Sequence, residues 1–470
     1  MYRNKIKTMR FKRKIFRGLL KAQRFGRFIF TTSFLYTHSL CAQEAPIINI
    51  EDLDFLKKLT QTVLDSARVR SGEAMPAPFG MNKTGGTLIR PGGRATYPAF
   101  WIRDYVMSLE TGFVTADEQK HMLLLTAATQ CDQTRITKGG GMIPYGAIAD
   151  HILADNRMPV YFAGTYDVNE QGTHEFGFFP PYCDQFYFIR MAKHYMAATG
   201  DWAVLDKVIN GTTLADRLEI AFRVPPARTG THIVHSIEAY RAVDFGFRDA
   251  IHITGDLLYP SLLKYEAALE LSAIFKKKNN PAKAAQYETI AARLKSAIPK
   301  IFTDAGGMLR ASTGKSGQKD VWGTALAIYL KILSGKAAEK AAVVLSGAYA
   351  TGTLAYKGGI RHVLTTDDFS STTAWEGAIP GAPLNQYQNG AYWHTPVGWV
   401  ACAIGLVDQQ NARKLVKEYI AELRATDFRK GGQYAGPLEC FHPPSYTRGP
   451  VYLTSVSCPY IVLNALVKKH

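Results

Sequence analysis

Trp101-Ile102-Arg103-Asp104 runs straight into the mostly apolar segment Tyr105 to Val114, and this junction decides how the rest of the chain is read. An aromatic ring, a guanidinium and a carboxylate meet where a loop gives way to a helix. The ring can stack on a sugar face, and the charged groups can bind its hydroxyls. The apolar run that follows reads as a helix buried on most sides.

The same grammar recurs along the chain. Phe179-Pro180-Pro181-Tyr182-Cys183-Asp184 opens the apolar segment Gln185 to Ala198. Val243-Asp244-Phe245-Gly246-Phe247-Arg248-Asp249 leads to Leu257 to Phe275, and Asp320-Val321-Trp322-Gly323 opens Thr324 to Leu333. Gln388-Asn389-Gly390-Ala391-Tyr392-Trp393 opens Thr395 to Leu406, and Arg448-Gly449-Pro450-Val451-Tyr452 opens Leu453 to Lys468. Successive junctions lie roughly 60 to 80 residues apart, room for two helices and their loops. The junction helices are apolar nearly all round, whereas the segments between them, such as 276–298 and 408–424, mix charges as solvated faces do. Inner apolar helices inside outer amphipathic ones describe an all-α (α/α)6 barrel, a toroid of six helical hairpins with minor β-hairpins in its loops. A two-domain helical solenoid is the plainer alternative. An added β-sandwich has no room before Trp101.

The bulk numbers agree with one large domain. Hydrophobic residues make up 47% of the 470 and aromatics 11%, enough for a sizeable core. The formal net charge of +17 does not describe the folded part. Eleven basic residues and no acidic one lie in the first forty positions, which leaves +6 for the remainder. A nucleic-acid binder would carry its charge in the fold, so no nucleic-acid partner is expected. The basic stretch Arg10 to Arg27, the moderately apolar Phe28 to Leu40 and the small residues around Cys41-Ala42 read as a signal peptide over 1–43, ahead of a barrel over 44–470. Export to the periplasm or outside the cell is expected, with no integral membrane span in the mature chain. A lipoprotein is disfavoured by Leu40 before Cys41. The six cysteines have no metal-type spacing, and those after Cys41 read as small core residues.

Five features in this order along about residues 50–470 resemble the six-hairpin glycosidases, the group holding glucoamylase, trehalase, processing α-glucosidase and debranching amylo-glucosidase. They are Trp101 to Asp104, the turn Thr199-Gly200-Asp201 after an aromatic helix, Asp320 to Ala325, Gln388 to Trp393, and a late glutamate before an aromatic-proline segment. The resemblance implies an oligosaccharide or polysaccharide substrate, cleavage at a chain end, no cofactor and no metal. It also implies inversion at the anomeric carbon, as in most of that group.

Glycoside hydrolysis needs two carboxyl groups, one acid and one base or nucleophile, flanking the scissile bond. Glu439, in Gly436-Pro437-Leu438-Glu439-Cys440-Phe441-His442-Pro443, matches the loop where these glycosidases often carry their base. Asp249, in its Gly-aromatic-Arg-Asp run, loosely matches the acid of trehalase-like members. Arg248 intervenes there, and Asp244 replaces the usual preceding Glu and competes for the role. Glu376 is the reserve carboxylate. Arg103, Asp104, Asp184, Asn389 and His394 are expected to bind hydroxyls, and Trp101, Trp322, Tyr392 and Trp393 to stack on sugar rings. The plain readings stand beside these: carboxylates favoured at helix N-termini and aromatics that belong to the core. The run Gly139-Gly140-Gly141 could cradle a phosphate, but reads better as a pocket-lining loop. No nucleophile-elbow, P-loop, zinc-protease or dinucleotide motif is present. Two other functions stay open: a helical-toroid polysaccharide lyase, with an Arg or metal beside a Tyr/His base, and a non-catalytic carbohydrate-binding relative.

Overall fold

In the computed structural model, residues 46–468 are described apart from 76–79, 94–95, 174, 244–245, 316, 368–375 and 380. The signal-peptide reading of 1–43 and the competing acid Asp244 therefore fall outside the described residues. Pro46–His470 forms one compact unit.

Twelve α-helices alternate along the described chain. They begin with α1 (Ile50–Ala67), α2 (Ile102–Val106), α3 (Ala116–Ala128) and α4 (Tyr182–Thr199). The middle of the chain gives α5 (Leu214–Arg223), α6 (Leu258–Lys277), α7 (Pro281–Phe302) and α8 (Val321–Tyr329). The last four are α9 (Gly335–Ala350), α10 (Val397–Ile404), α11 (Gln409–Thr426) and α12 (Thr454–Val467). The even-numbered helices pack in sequence around an inner ring, α2 on α4, α4 on α6, α6 on α8, α8 on α10 and α10 on α12. The ring closes where α12 meets the 3-10 turn Leu109–Thr111 that follows α2. The odd-numbered helices lie against it, with α1 packed on α12. This is the (α/α)6 arrangement read from the sequence.

Burial explains which helix takes which place. Every residue of α8 from Val321 to Ile328 is buried, so it can only sit inside. In α11 the buried residues are Ala412, Leu415, Val416, Tyr419, Ile420 and Leu423, one stripe at helical spacing with charges opposite. The small β elements lie in the connections between helices. Strands β1 (Ala99–Trp101), β2 (His151–Leu153) and β3 (Pro159–Val160) make one antiparallel sheet in which Trp101 pairs with His151. Strands β4 (Leu438–His442) and β5 (Tyr446–Pro450) form the hairpin that precedes α12.

Three boundaries differ from the sequence reading. The first inner helix does not run to Val114: α2 has five residues, and Ser108 then bonds Asp104 O at 2.8 Å and Ser457 of α12 at 2.8 Å, starting the 3-10 turn. The charged segment 276–298 is not one element, because α6 extends to Lys277 and Asn280 caps α7 through Lys283 N, with Pro281 in its first turn. The outer helix α1, capped by Asn49 with Glu51 and Asp52 in its first turn, was not singled out in the sequence. Among the described residues no helix is long and apolar enough to cross a membrane.

One buried ion pair ties the third inner junction to the fourth. Arg248 donates to both Asp320 oxygens at 3.0 and 2.7 Å, and Asp320 also caps α8 by accepting from Gly323 N at 2.9 Å. Asp320→Ala leaves a guanidinium that is 1% exposed without this carboxylate, and should cost about 3–5 kcal/mol in urea unfolding. An unchanged midpoint would contradict this role.

Candidate active site

The loops leading into the inner helices converge on one end of the barrel and enclose two adjoining compartments of about 90 and 210 Å³. Trp101 ends β1, and the first turn of α2 immediately presents Arg103 and Asp104 to the cavity. Asp150 comes from the start of β2, Asp249 from the loop before α6, and Gln388 from the loop before α10. The hairpin β4–β5 contributes Glu439 and Arg448. That hairpin is shaped around the glutamate: Gly449 faces it with φ +59°, and a Cβ there would collide with the Glu439 carboxylate.

Each carboxyl group in the cavity has a distinct partner. Tyr97 Oη donates to Glu439 Oε2 at 2.5 Å, and Arg448 Nε lies 3.6 Å from the same oxygen. Arg448 also lies over the Tyr387 ring, 3.9 Å from its centroid. Tyr452 Oη donates to Asp104 Oδ1 at 2.6 Å. Asp249 Oδ1 accepts from Gln388 Nε2, and Gln388 Oε1 in turn accepts from Ala250 N at 2.7 Å. Beneath them Arg103 Nη2 lies 3.4 Å from both Asp150 Oδ1 and Asp184 Oδ1, and His151 Nδ1 lies 2.7 Å from Asp150 Oδ2.

Burial raises these carboxyl groups, because the charged form loses its water. Glu439 is pushed up to about 7 by burial, against Arg448 and the Tyr97 hydroxyl, with Asp104 and Asp249 adding repulsion. Asp104 rises to about 6, again mainly by burial, with Arg103 and Tyr452 opposing. Asp249 is raised by burial while Arg103 and Gln388 pull it down. Burial drives Asp184 well above the usual range, with Arg103 opposing. Burial thus favours the protonated form in each of these groups, and the neighbouring guanidiniums oppose it.

The backbone around them is strained. Tyr97, Phe247, Tyr387 and Val451 all have left-handed φ of 61°, 57°, 46° and 58°. For residues with a Cβ this costs on the order of 1–3 kcal/mol each and persists only where the surroundings dictate it. The first three line the cavity, and Val451 precedes Tyr452, which also lines it.

Of the residues singled out in the sequence, Trp101, Arg103, Asp104, Asp249 and Glu439 line this cavity. Asp184 lies one step below, fully buried against Arg103. Trp322 and Trp393 are not sugar platforms: both are fully buried behind Phe247, with Trp322 stacked on His362 at 4.0 Å. The segment 388–394 is held by bridges of Tyr392 to Phe441 and Trp393 to Ile360, so Gln388, not Asn389, reaches the cavity. Asn389 Nδ2 donates to Ala382 O at 3.0 Å. Tyr392 stacks on Phe441 and His442. His394 is buried between Tyr419 and Phe441, where burial lowers it to about 4. Glu376 does not line the cavity either; it accepts from Thr254 N and Oγ1 at 2.9 and 2.7 Å, bracing the loop after Asp249. The sequence reading passed over Tyr97, Asp150, Tyr166 and Tyr387. It quoted Phe247, Gln388, Arg448 and Tyr452 within junctions without giving them a role. Among the described residues no group of three or more His, Cys, Asp or Glu could hold a metal ion.

Comparison with known proteins places the barrel. A rhamnosidase from Klebsiella oxytoca with rhamnose bound matches with a TM-score of 0.51 over 90% of this chain and 65% of its own, at 11% identity. A GH78 family rhamnosidase of Bacillus sp. GL1 matches with a TM-score of 0.50 over 88% of this chain and 35% of its own, at 10% identity. The fold is that of the six-hairpin glycosidases. At this identity the likeness concerns the fold alone, and the chain spans less than two thirds of either enzyme's length. No protein-family model and no curated protein matches the sequence.

Within this six-hairpin barrel the raised Glu439 carries a stability signature. Its ordinary value is 4.5 and its folded value about 7, so the native state keeps a proton that the unfolded chain releases. Stability then falls as pH rises through that interval, by about 3 kcal/mol at most. Glu439→Gln, neutral at all pH, should raise Tm at pH 8.5 and leave it nearly unchanged at pH 5. A Tm raised equally at both would contradict the shift.

Proposed function

We propose that this chain is an inverting glycoside hydrolase that releases a sugar from the end of a glycan, with Asp249 as general acid and Glu439 as general base. One observation carries the reading: two buried carboxyl groups from distant loops share a cavity but differ in their partners. Glu439 has a cation and a phenol on one oxygen, and both oppose the rise that burial causes. Asp249 accepts a hydrogen bond from a neutral amide on Oδ1, and burial favours a proton on the carboxyl, with the Arg103 charge opposing.

In this mechanism Asp249 gives its proton to the glycosidic oxygen as the bond to the anomeric carbon breaks. Glu439 takes a proton from the water that attacks the opposite face, and the sugar leaves with inverted configuration. Trp101 supplies an aromatic wall, and Asp104 and Asp150 accept hydroxyl protons. The rhamnose bound by the Klebsiella enzyme makes a rhamnoside the first substrate to try. The basic and apolar N-terminal stretch supports export of the chain before it acts.

Leaving-group dependence tests the roles. Asp249→Asn should lower kcat/KM about 100- to 10,000-fold on alkyl glycosides but far less on dinitrophenyl glycosides, whose leaving group needs no proton. Glu439→Gln should lower both alike while substrate still binds. Full turnover by Glu439→Gln would remove the base assignment.

A further inference from the structure

Tyr166 lies at the boundary of three spaces. It lines both compartments of the cavity, and it lines a surface groove of about 590 Å³ with Leu153, Asn156, Met158, Asp167, Val168 and Asn169. The ring is half exposed, and it meets Trp101 edge-on at 5.8 Å and His151 at 5.6 Å. The groove and the cavity also share one sheet. The end of β1–β2 holding the Trp101–His151 pair borders the cavity, while Leu153 and the β2–β3 turn with Asn156 and Met158 border the groove.

The loop that carries Tyr166 is built, with its own internal bonds. Asp167 Oδ1 accepts from Asn169 N at 2.8 Å, and Gln171 spans Val168 O and Tyr161 N at 2.8 and 2.6 Å. Its base rests on the run Gly139-Gly140-Gly141. A Cβ on Gly139 or Gly141 would come within 2.7 or 2.8 Å of Gly172 O. That run is not among the residues lining the two compartments; it lets two chain segments approach closely enough to hold this loop in place. Met158 is 43% exposed and lines the groove.

We propose that the groove binds the leaving-group side of the substrate, an oligosaccharide chain of two or more further neutral sugars, passed from the cavity across the Tyr166 ring. This rests on the hydrolase reading above and adds its substrate class: the sugar released comes from a polymer or long oligosaccharide. An aromatic ring at the crossing point, followed by the apolar Leu153, Met158 and Val168, the amides Asn156 and Asn169 and the carboxylate Asp167, suits a sugar's apolar faces and hydroxyl edges. A compact aglycone would end at Tyr166 and leave the groove without a role.

The test compares chain lengths with the full protein. A panel of 4-nitrophenyl glycosides of neutral sugars identifies the sugar released. That sugar is then offered at the end of linear oligosaccharides of two to five units. The expected result is a kcat/KM that rises at least tenfold between the two- and four-unit substrates. Met158→Arg and Asn169→Ala, both at exposed positions, should each reduce that ratio at least threefold. A flat length dependence, or variants that leave the ratio unchanged, overturns the groove and leaves the hydrolase standing. No turnover of any glycoside overturns both.

Discussion

Arg103 is the cation around which the active end of the barrel is arranged. It is nearly buried at the start of α2, and it lies between Asp150 of the sheet and Asp184 of α4, with the Phe247 ring 5.3 Å away. Burial alone would lower its affinity for a proton, yet Asp184, Asp150 and Asp104 together raise it. The same charge keeps Asp104 and Asp249 from rising further. An uncompensated group of carboxylates in a dry cavity would take up protons or refuse to fold. With Arg103 and Arg448 beside them, the four carboxyl groups Asp104, Asp150, Asp249 and Glu439 can share one small space.

The barrel serves this arrangement by bringing distant sequence together. Residues 101–104, 249, 388 and 439 meet because each lies on the segment that leads into an inner helix, and a closed ring of hairpins puts those segments at one end. Strain at Tyr97, Phe247, Tyr387 and Val451, and the raised carboxyl of Glu439, all subtract from stability. The apolar ring beneath offsets them, including the fully buried Trp322 and Trp393. The structure thus separates two tasks: helices supply cohesion, and loops supply polarity.

Much of the fold was legible in the sequence because burial leaves a direct mark on composition. Segments such as Ala325 to Leu330 carry no charge and had to lie inside, whereas α11 showed its stripe. Helix α1 was overlooked since no aromatic loop precedes it, although Asn49 caps it and Glu51 and Asp52 stand in its first turn, and the short α2 could not be told from a longer helix while its bond from Ser108 to α12 was unseen. The site was less legible for a related reason. Charged residues at junctions are visible, but which side chain of a run such as 388–394 faces the cavity depends on bridges to Ile360 and Phe441, far away in sequence. Aromatics at junctions look alike whether they line a cavity, as Trp101 does, or back it, as Trp322 does. Tyr97 and Tyr166 lie on irregular loops with no periodicity to betray them.

The central claim is that Asp249 and Glu439 act from opposite sides of a sugar, one on the leaving oxygen and one on water. Time-resolved proton NMR of the first released sugar, recorded before mutarotation, tests it most directly. The account predicts that the anomer formed first is the inverse of the one cleaved. A first product with the starting configuration would mean a covalent intermediate on one of the two carboxylates, and would contradict it.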